Sequence, residues 1–395
     1  MIDPERIAAR PEDVGIDPRK VEALLARVRR EVDEGLLPAA QVALAREGKL
    51  AVLQTFGRVL HQGQPAPATD DTLFCVFSCT KGITSAAAWL LIQEGKLSPD
   101  ELVAEIVPEF GTHGKERIRV EQLLTHTAGF PGAPFDPARF LDREYRLERF
   151  ASWRLNWEPG SRFEYHPSSS MYLVAEIIER RSGRSYGAFV RERIALPLGL
   201  PDLWVGLPRS EHGRLADYEA AGAPPTDEDY AKLGVPKPPV TEVTPDALSR
   251  FNLPEVRESG IPGGGGTMKA ADLALFYQAL LTGRANDGSE VWKPETLRMG
   301  LTVRSGDLRD PLYGKRANRA LGMIIAGDDD RAFRGFGHTN SPLAFGHNGA
   351  GGQIAWADPA TGISFAYCTS GFDQNPMRLA RRSVSIGNRA AVCAL

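Results

Sequence analysis

The 395-residue chain has no long hydrophobic run: its longest, Ser85 to Ile92, is far short of the ~20 apolar residues that span a bilayer. It also lacks a basic start followed by an apolar stretch, because the opening residues MIDPERIAARPEDVGIDP are polar and mixed in charge. That opening does not read as a secretory signal, and the expectation is a cytoplasmic protein with no membrane partner. Charge of one sign is scarce: the net charge is -3, which leaves no broad basic surface for nucleic acid. Cysteine is scarce too. The four present, Cys75, Cys79, Cys368 and Cys393, form no Cys-x-x-Cys pair and no disulfide framework. The seven histidines include no closely spaced pair suited to a metal, so no metal site is expected. Gly-x-Ser-x-Gly is missing, which weighs against an α/β-hydrolase, and Gly263–Gly266 completes no phosphate loop.

What remains is ordinary globular material, 42% hydrophobic and 25% charged. A chain of this length divides into domains more often than not. Ala8 to Glu34 has helical spacing through Val21, Leu24, Leu25 and Val28. Strand-like runs follow at Ala40–Ala45 and Leu50–Phe56, then a helix over Thr80–Glu94 closed by Gly95. The middle carries helical segments at Val120–Thr125, Met171–Arg181 and Lys269–Leu281 between Pro- and Gly-rich loops. The stretch 205–260 has little periodicity, and reads either as a cover over a site or as a surface insertion. Strand signals return at Ala320–Ile325, Gly352–Trp356 and Ile363–Cys368, followed by a helix over Asn375–Asn388. This order predicts an α+β fold, an α/β sandwich. One antiparallel sheet flanked by helices is built from both chain ends, with a mainly helical domain inserted. The expected division is 1–80 with 285–395 for the sheet domain and 81–284 for the helical one, with a site in the cleft between them.

Three segments carry chemistry. In Ser78-Cys79-Thr80-Lys81 the hydroxyl and the amine lie one helical turn apart at a helix N-terminus. A serine hydroxyl needs a base within reach, and Lys81 can serve once burial favours its uncharged form. Tyr165, in Phe163-Glu164-Tyr165-His166-Pro167, is placed to carry its phenol into a cleft as a proton shuttle, although alone it reads as a core tyrosine. Gly346-His347-Asn348-Gly349-Ala350-Gly351-Gly352 precedes a strand, and its glycines imply close backbone approach. Such an edge strand can offer one N–H to an oxyanion, with Ser78 N–H as the second, the alternative being a glycine-rich turn of no chemical interest. His126 is a tempting base, but its expected role is to brace a loop through its ring nitrogens.

Together these segments resemble the serine β-lactamase and penicillin-binding-protein superfamily, in its class C-like branch, and are closest in kind to family VIII carboxylesterases. The likeness rests on Ser78-Cys79-Thr80-Lys81, on Leu123-Leu124-Thr125-His126-Thr127-Ala128-Gly129, on Tyr165, on Gly263–Gly266 with Ala271-Asp272-Leu273, and on Gly346-His347-Asn348-Gly349. It implies Ser78 as nucleophile, Lys81 and Tyr165 sharing proton transfer, and the Ala350 and Ser78 N–H groups as oxyanion donors. His347 and Gly349 would border the substrate, where the superfamily carries Lys-Thr-Gly. Two departures stand out. Tyr-x-Asn becomes Tyr165-His166-Pro167, leaving Ser168 or Ser169 as candidate stand-ins for the lost amide. A histidine replaces the lysine of the triad, and a ring that is mostly neutral at pH 7 supplies no permanent cation for a substrate carboxylate. The expectation is therefore a hydrolase of carboxylic esters with small to medium, uncharged acyl parts. The alternatives are an amide-bond hydrolase (weak β-lactamase, D-amino-acid peptidase or ω-amino-acid oligomer hydrolase), an acyltransferase, and a non-catalytic binding homologue. The oligomeric state is not legible.

Overall fold

The computed structural model describes residues 2–233 and 243–395. Its centre is a seven-stranded antiparallel sheet. The strands are β1 (Ala39–Arg46), β2 (Lys49–His61), β3 (Gln64–Pro67), β4 (Ile324–Ile325), β5 (Phe345–Gly346), β6 (Ile354–Asp358) and β7 (Ile363–Thr369). They lie in the order β4-β5-β6-β7-β1-β2-β3, so the chain ends meet where β1 pairs with β7, from Ala40 opposite Thr369 to Arg46 opposite Ile363. The hairpin between β1 and β2 turns on Glu47 (φ 56°) and Gly48 (φ 79°), the two left-handed residues that match the twist of flanking strands. The predicted architecture is the observed one.

The five longest helices among the described residues are α1 (Pro18–Asp33), α2 (Thr80–Gln93), α3 (Ser169–Ser182), α4 (Ala270–Thr282) and α5 (Pro376–Ala391). The two faces of the sheet differ in side-chain size. Val42, Leu44, Ile354, Trp356, Ile363 and Phe365 face α1 and α5 and bury Val21, Leu24, Val28 and Ile386. The opposite face presents Ala39, Ala43, Ala45, Ala355, Ala357 and Ala366, and α4 lies against it. Small residues on that face let a helix approach closely. α2 and α4 are predominantly apolar and buried on nearly every side, as helices between two layers must be.

α1 starts later than the spacing from Ala8 predicted. Pro11 and Pro18 each open a helical segment, and Gly15 (φ 66°) breaks the run between them, leaving a short 3-10 turn at Pro11–Val14. The strand expected over Ala320–Ile325 shrinks to Ile324–Ile325. α4, inside the span 81–284, packs on β1 and β7. The described part of the 205–260 stretch is stitched into the fold by strand pairing. Trp204–Val205 pairs with Gly266–Met268, and Glu219–Ala221 pairs in parallel with Gly371–Asp373. Part of it also lies over the segment that carries Ser78, with the Phe251 ring 5.1 Å and the Tyr218 ring 6.2 Å from that of Phe77. Pro236, Pro238 and Pro239 lie outside the described residues. Among those described, no helix is long and apolar enough to cross a membrane.

Candidate active site

Phe74–Cys75 pairs with Gly266–Met268, and the chain then bends into a 3-10 turn, Phe77–Cys79, that runs on into α2. The bend places Phe77 at φ 43°, a left-handed conformation that costs a non-glycine residue energy and persists only where surroundings enforce it. Here the enforcement is local. Thr80 Oγ1 donates to Phe77 O at 2.6 Å and accepts from Gly266 N at 2.9 Å, while Val76 N donates to Gly266 O at 2.9 Å. Ser78 therefore sits at the crest of a clamped bend.

Lys81, one turn into α2 and fully buried, brings Nζ to 3.0 Å from Ser78 Oγ. The same nitrogen donates to Pro167 O at 2.6 Å and to Gly263 O at 2.7 Å. A lysine ammonium carries three N–H bonds, so the two carbonyls take two of them and aim the third at Ser78 Oγ. Tyr165 Oη approaches Ser78 Oγ from the other side, also at 3.0 Å. The hydroxyl, amine and phenol expected to act together thus form one hydrogen-bonded cluster.

The loop bearing Tyr165 is held by His126. His126 O accepts from Glu164 N and its Nδ1 accepts from His166 N, both at 3.2 Å, so one residue grips the chain on either side of Tyr165. The imidazole also packs 4.7 Å from the phenol ring, centroid to centroid. Bracing, not proton abstraction, is what its contacts provide, in line with the sequence reading. Burial holds the His126 imidazole well below its ordinary pKa, with the Arg319 cation adding to the effect. His166 is likewise pushed down to about 4 by burial, and its Nδ1 lies 2.6 Å from Glu164 O.

His347 follows β5 beside the phenol, with its ring 5.9 Å from that of Tyr165. Its Nε2 accepts from Arg319 Nη1 at 3.3 Å, which puts the ring proton on Nδ1, 2.9 Å from Asn348 O. Burial, then the neighbouring Arg319 and Lys81 charges, keep this histidine well below its usual pKa and neutral. Cys79 Sγ donates to His347 O at 3.1 Å, and a Cβ on Gly349 would lie 2.6 Å from Val76 O. The glycine-rich turn therefore rests directly against the segment that carries Ser78, in the close approach its composition implied. Among the described residues neither Ser78 N–H nor Ala350 N–H donates to a protein acceptor.

Two expectations need correction. Neither Ser168 nor Ser169 replaces the missing amide: Ser169 Oγ donates to Phe130 O and Pro131 O, and the acceptor for Lys81 is the Pro167 backbone. Nor is the site without a permanent cation. Arg319, only 8% exposed, brings its guanidinium to 5.2 Å from the Tyr165 ring centre and 5.4 Å from that of Phe163. Sequence reading missed Arg319, and missed the Gly263 carbonyl as a lysine acceptor. No local pattern marks either one.

Residues 24–385 match the family model described as Beta-lactamase. The chain belongs to the beta-lactamase family. Among solved structures this family member is similar to a penicillin-binding protein homolog from Caulobacter crescentus, at 30% identity and TM-score 0.79, over 95% of this chain and 99% of that one. It is similar to a family VIII carboxylesterase at 26% identity and TM-score 0.77, over 95% and 99% of the two chains. Among curated relatives, Esterase EstB of Burkholderia gladioli is 29% identical over 88% of this chain and 91% of its own. A putative D-alanyl-D-alanine carboxypeptidase of Escherichia coli is 24% identical over 88% and 82%.

Proposed function

We propose that this beta-lactamase-family protein hydrolyses carboxylic esters of small to medium acyl chains through an acyl-enzyme at Ser78. The observation that carries the reading is the approach of Lys81 Nζ and Tyr165 Oη to Ser78 Oγ, each at 3.0 Å. Ser78 Oγ attacks the ester carbonyl while its proton passes into the Lys81–Tyr165 pair. The carbonyl electrons move onto oxygen and are received by the N–H groups of Ser78 and Ala350, with His347 and Gly349 bordering the bound ester. Collapse of that intermediate expels the alcohol, which leaves with the transferred proton. Water then attacks the acyl carbon by the reverse route and frees the acid.

The preference for esters draws on the relatives named esterases. The relatives named carboxypeptidases favour a second reading, amide-bond hydrolysis, for which Arg319 supplies a cation in the same region. In this proposal residues 1–80 and 285–395 form the sheet-bearing lobe and 81–284 the mainly helical one, with the site in the cleft between them.

The test is a panel of p-nitrophenyl esters run beside nitrocefin. The expected outcome is ester turnover that Ser78→Ala abolishes, together with an acyl adduct on Ser78 by mass spectrometry. Nitrocefin hydrolysis at comparable kcat/KM would overturn the ester preference, and inertness toward both substrates would overturn catalysis itself.

A further inference from the structure

A guanidinium buried without a counter-ion is costly, because desolvation disfavours charge and arginine cannot shed its proton in compensation. Arg319 is such a group. No carboxylate among the described residues pairs with it, its Nε meets no acceptor, and its one hydrogen-bond partner is the neutral His347 ring. Burial lowers its pKa, opposed first by Tyr165 and then by the more distant Asp310.

The other charges around the phenol do not fill the same place. His126 and His347 are held neutral by burial, and His166 is buried as well. Glu164, next to Tyr165 in the chain, forms an ion pair with Arg162 at 3.2 Å near the surface. Lys81 lies 5.1 Å from the ring centre and takes part in the proton transfer itself, so its charge changes as the reaction proceeds. Only Arg319 is a cation throughout.

We propose that Arg319 is the fixed positive charge of this site, a positioning residue that stabilises the negative charge appearing on Tyr165 when the phenol gives up its proton. In this arrangement the charge comes from a loop preceding β4 and not from the residue at the head of the glycine-rich turn, where His347 stands. His347 becomes the link that orients the guanidinium, by accepting one of its N–H bonds. The unpaired cation thereby gains a use. Its counter-ion is the transient phenolate, which forms only when the serine–lysine–tyrosine cluster is working.

The inference rests on Ser78 being an activated nucleophile, and the experiment separates the two claims. The probe is a p-nitrophenyl alkylphosphonate. Ser78 Oγ forms a bond to phosphorus, p-nitrophenolate leaves, and the serine proton goes to the base cluster. Its release rate is followed from pH 6 to pH 10 for the wild type, Arg319→Gln and Arg319→Lys, with folding checked by circular dichroism. Losing a nearby charge moves such a limb by about one pH unit or more, so Arg319→Gln is expected to shift the rising limb upward, slow the reaction about tenfold or more at pH 7, and recover rate in alkali. Arg319→Lys is expected to return the limb close to its wild-type position. An unmoved limb in Arg319→Gln, with rate lost equally at every pH, would assign Arg319 a packing role and overturn the inference. If Arg319→Gln fails to fold, Arg319→Lys decides: a wild-type limb upholds the proposal, and a limb displaced by a unit or more overturns it. Failure of the wild type to react at Ser78 overturns the nucleophile itself, and this inference with it.

Discussion

The carbonyl of Pro167 accepts a hydrogen bond from Lys81 Nζ at 2.6 Å, so a backbone oxygen orients the amine in this protein. A proline can occupy that position because its carbonyl, unlike its missing N–H, is fully available. Pro167→Ala is therefore expected to keep kcat/KM toward a p-nitrophenyl ester within a few-fold of wild type. Lys81→Met, which retains the buried volume and deletes the amine, is expected to lower kcat by about 10²–10⁴-fold, the usual contribution of a positioned acid–base group. Equal losses in the two variants would mean that the carbonyl does not position the lysine.

His126 grips the Tyr165 loop at Glu164 N and His166 N while sitting at φ 59°. Asparagine tolerates that backbone conformation and keeps the carbonyl, but loses the ring. In His126→Asn the phenol loses its packing partner. The expected result is a kcat about 10-fold lower with KM little changed, since misplacement by a fraction of an ångström acts on the reacting geometry. A KM effect of the same size with kcat intact would contradict this.

Asp272 opens α4 and is completely buried, and its carboxyl is pushed up to about 6, first by desolvation and also by Asp202, against the pull of Lys269. A carboxyl whose folded pKa exceeds its unfolded 3.8 holds its proton longer in the native state. Stability then falls as pH rises from the unfolded to the folded value and stays lower above it. Asp272→Asn removes the titration. Its Tm is expected to exceed that of wild type at pH 8, by an amount corresponding to on the order of 2–3 kcal/mol, and to match it near pH 4. Thermal melts at the two pH values decide, and a gain at pH 4 alone would reverse the sign.

Ala43 lies on the alanine face of the sheet beneath α4, whereas its neighbour Val42 points to the large-residue face. Inserting extra methylenes where a helix already packs closely costs about 1–3 kcal/mol. Ala43→Leu is expected to lower the denaturant midpoint by that equivalent, and Val42→Ile to change it little. Reversal of the two effects would mean that α4 does not sit as close as the small side chains allow.

Several things were determined by the sequence alone. Short apolar runs bounded by turn residues marked β1, β2, β6 and β7. The Ser78–Lys81 spacing needed only one helical turn to become a contact, and the glycines at 346–352 allowed close backbone approach. Tyr165 was legible through its resemblance to a family pattern and not through any local periodicity. Other features had no local signature. The Pro167 and Gly263 carbonyls belong to every peptide, so nothing in their side chains reports that they hold Lys81. Arg319 is one arginine among many until folding strips it of water and carboxylates beside Tyr165. α2 and α4, buried on nearly every side, carry no amphipathic stripe to say which layer they face. Residue type and spacing encode the chemistry a segment can perform. Which backbone oxygens and which distant charge surround it is decided only when long-range packing fixes the dielectric and the neighbours.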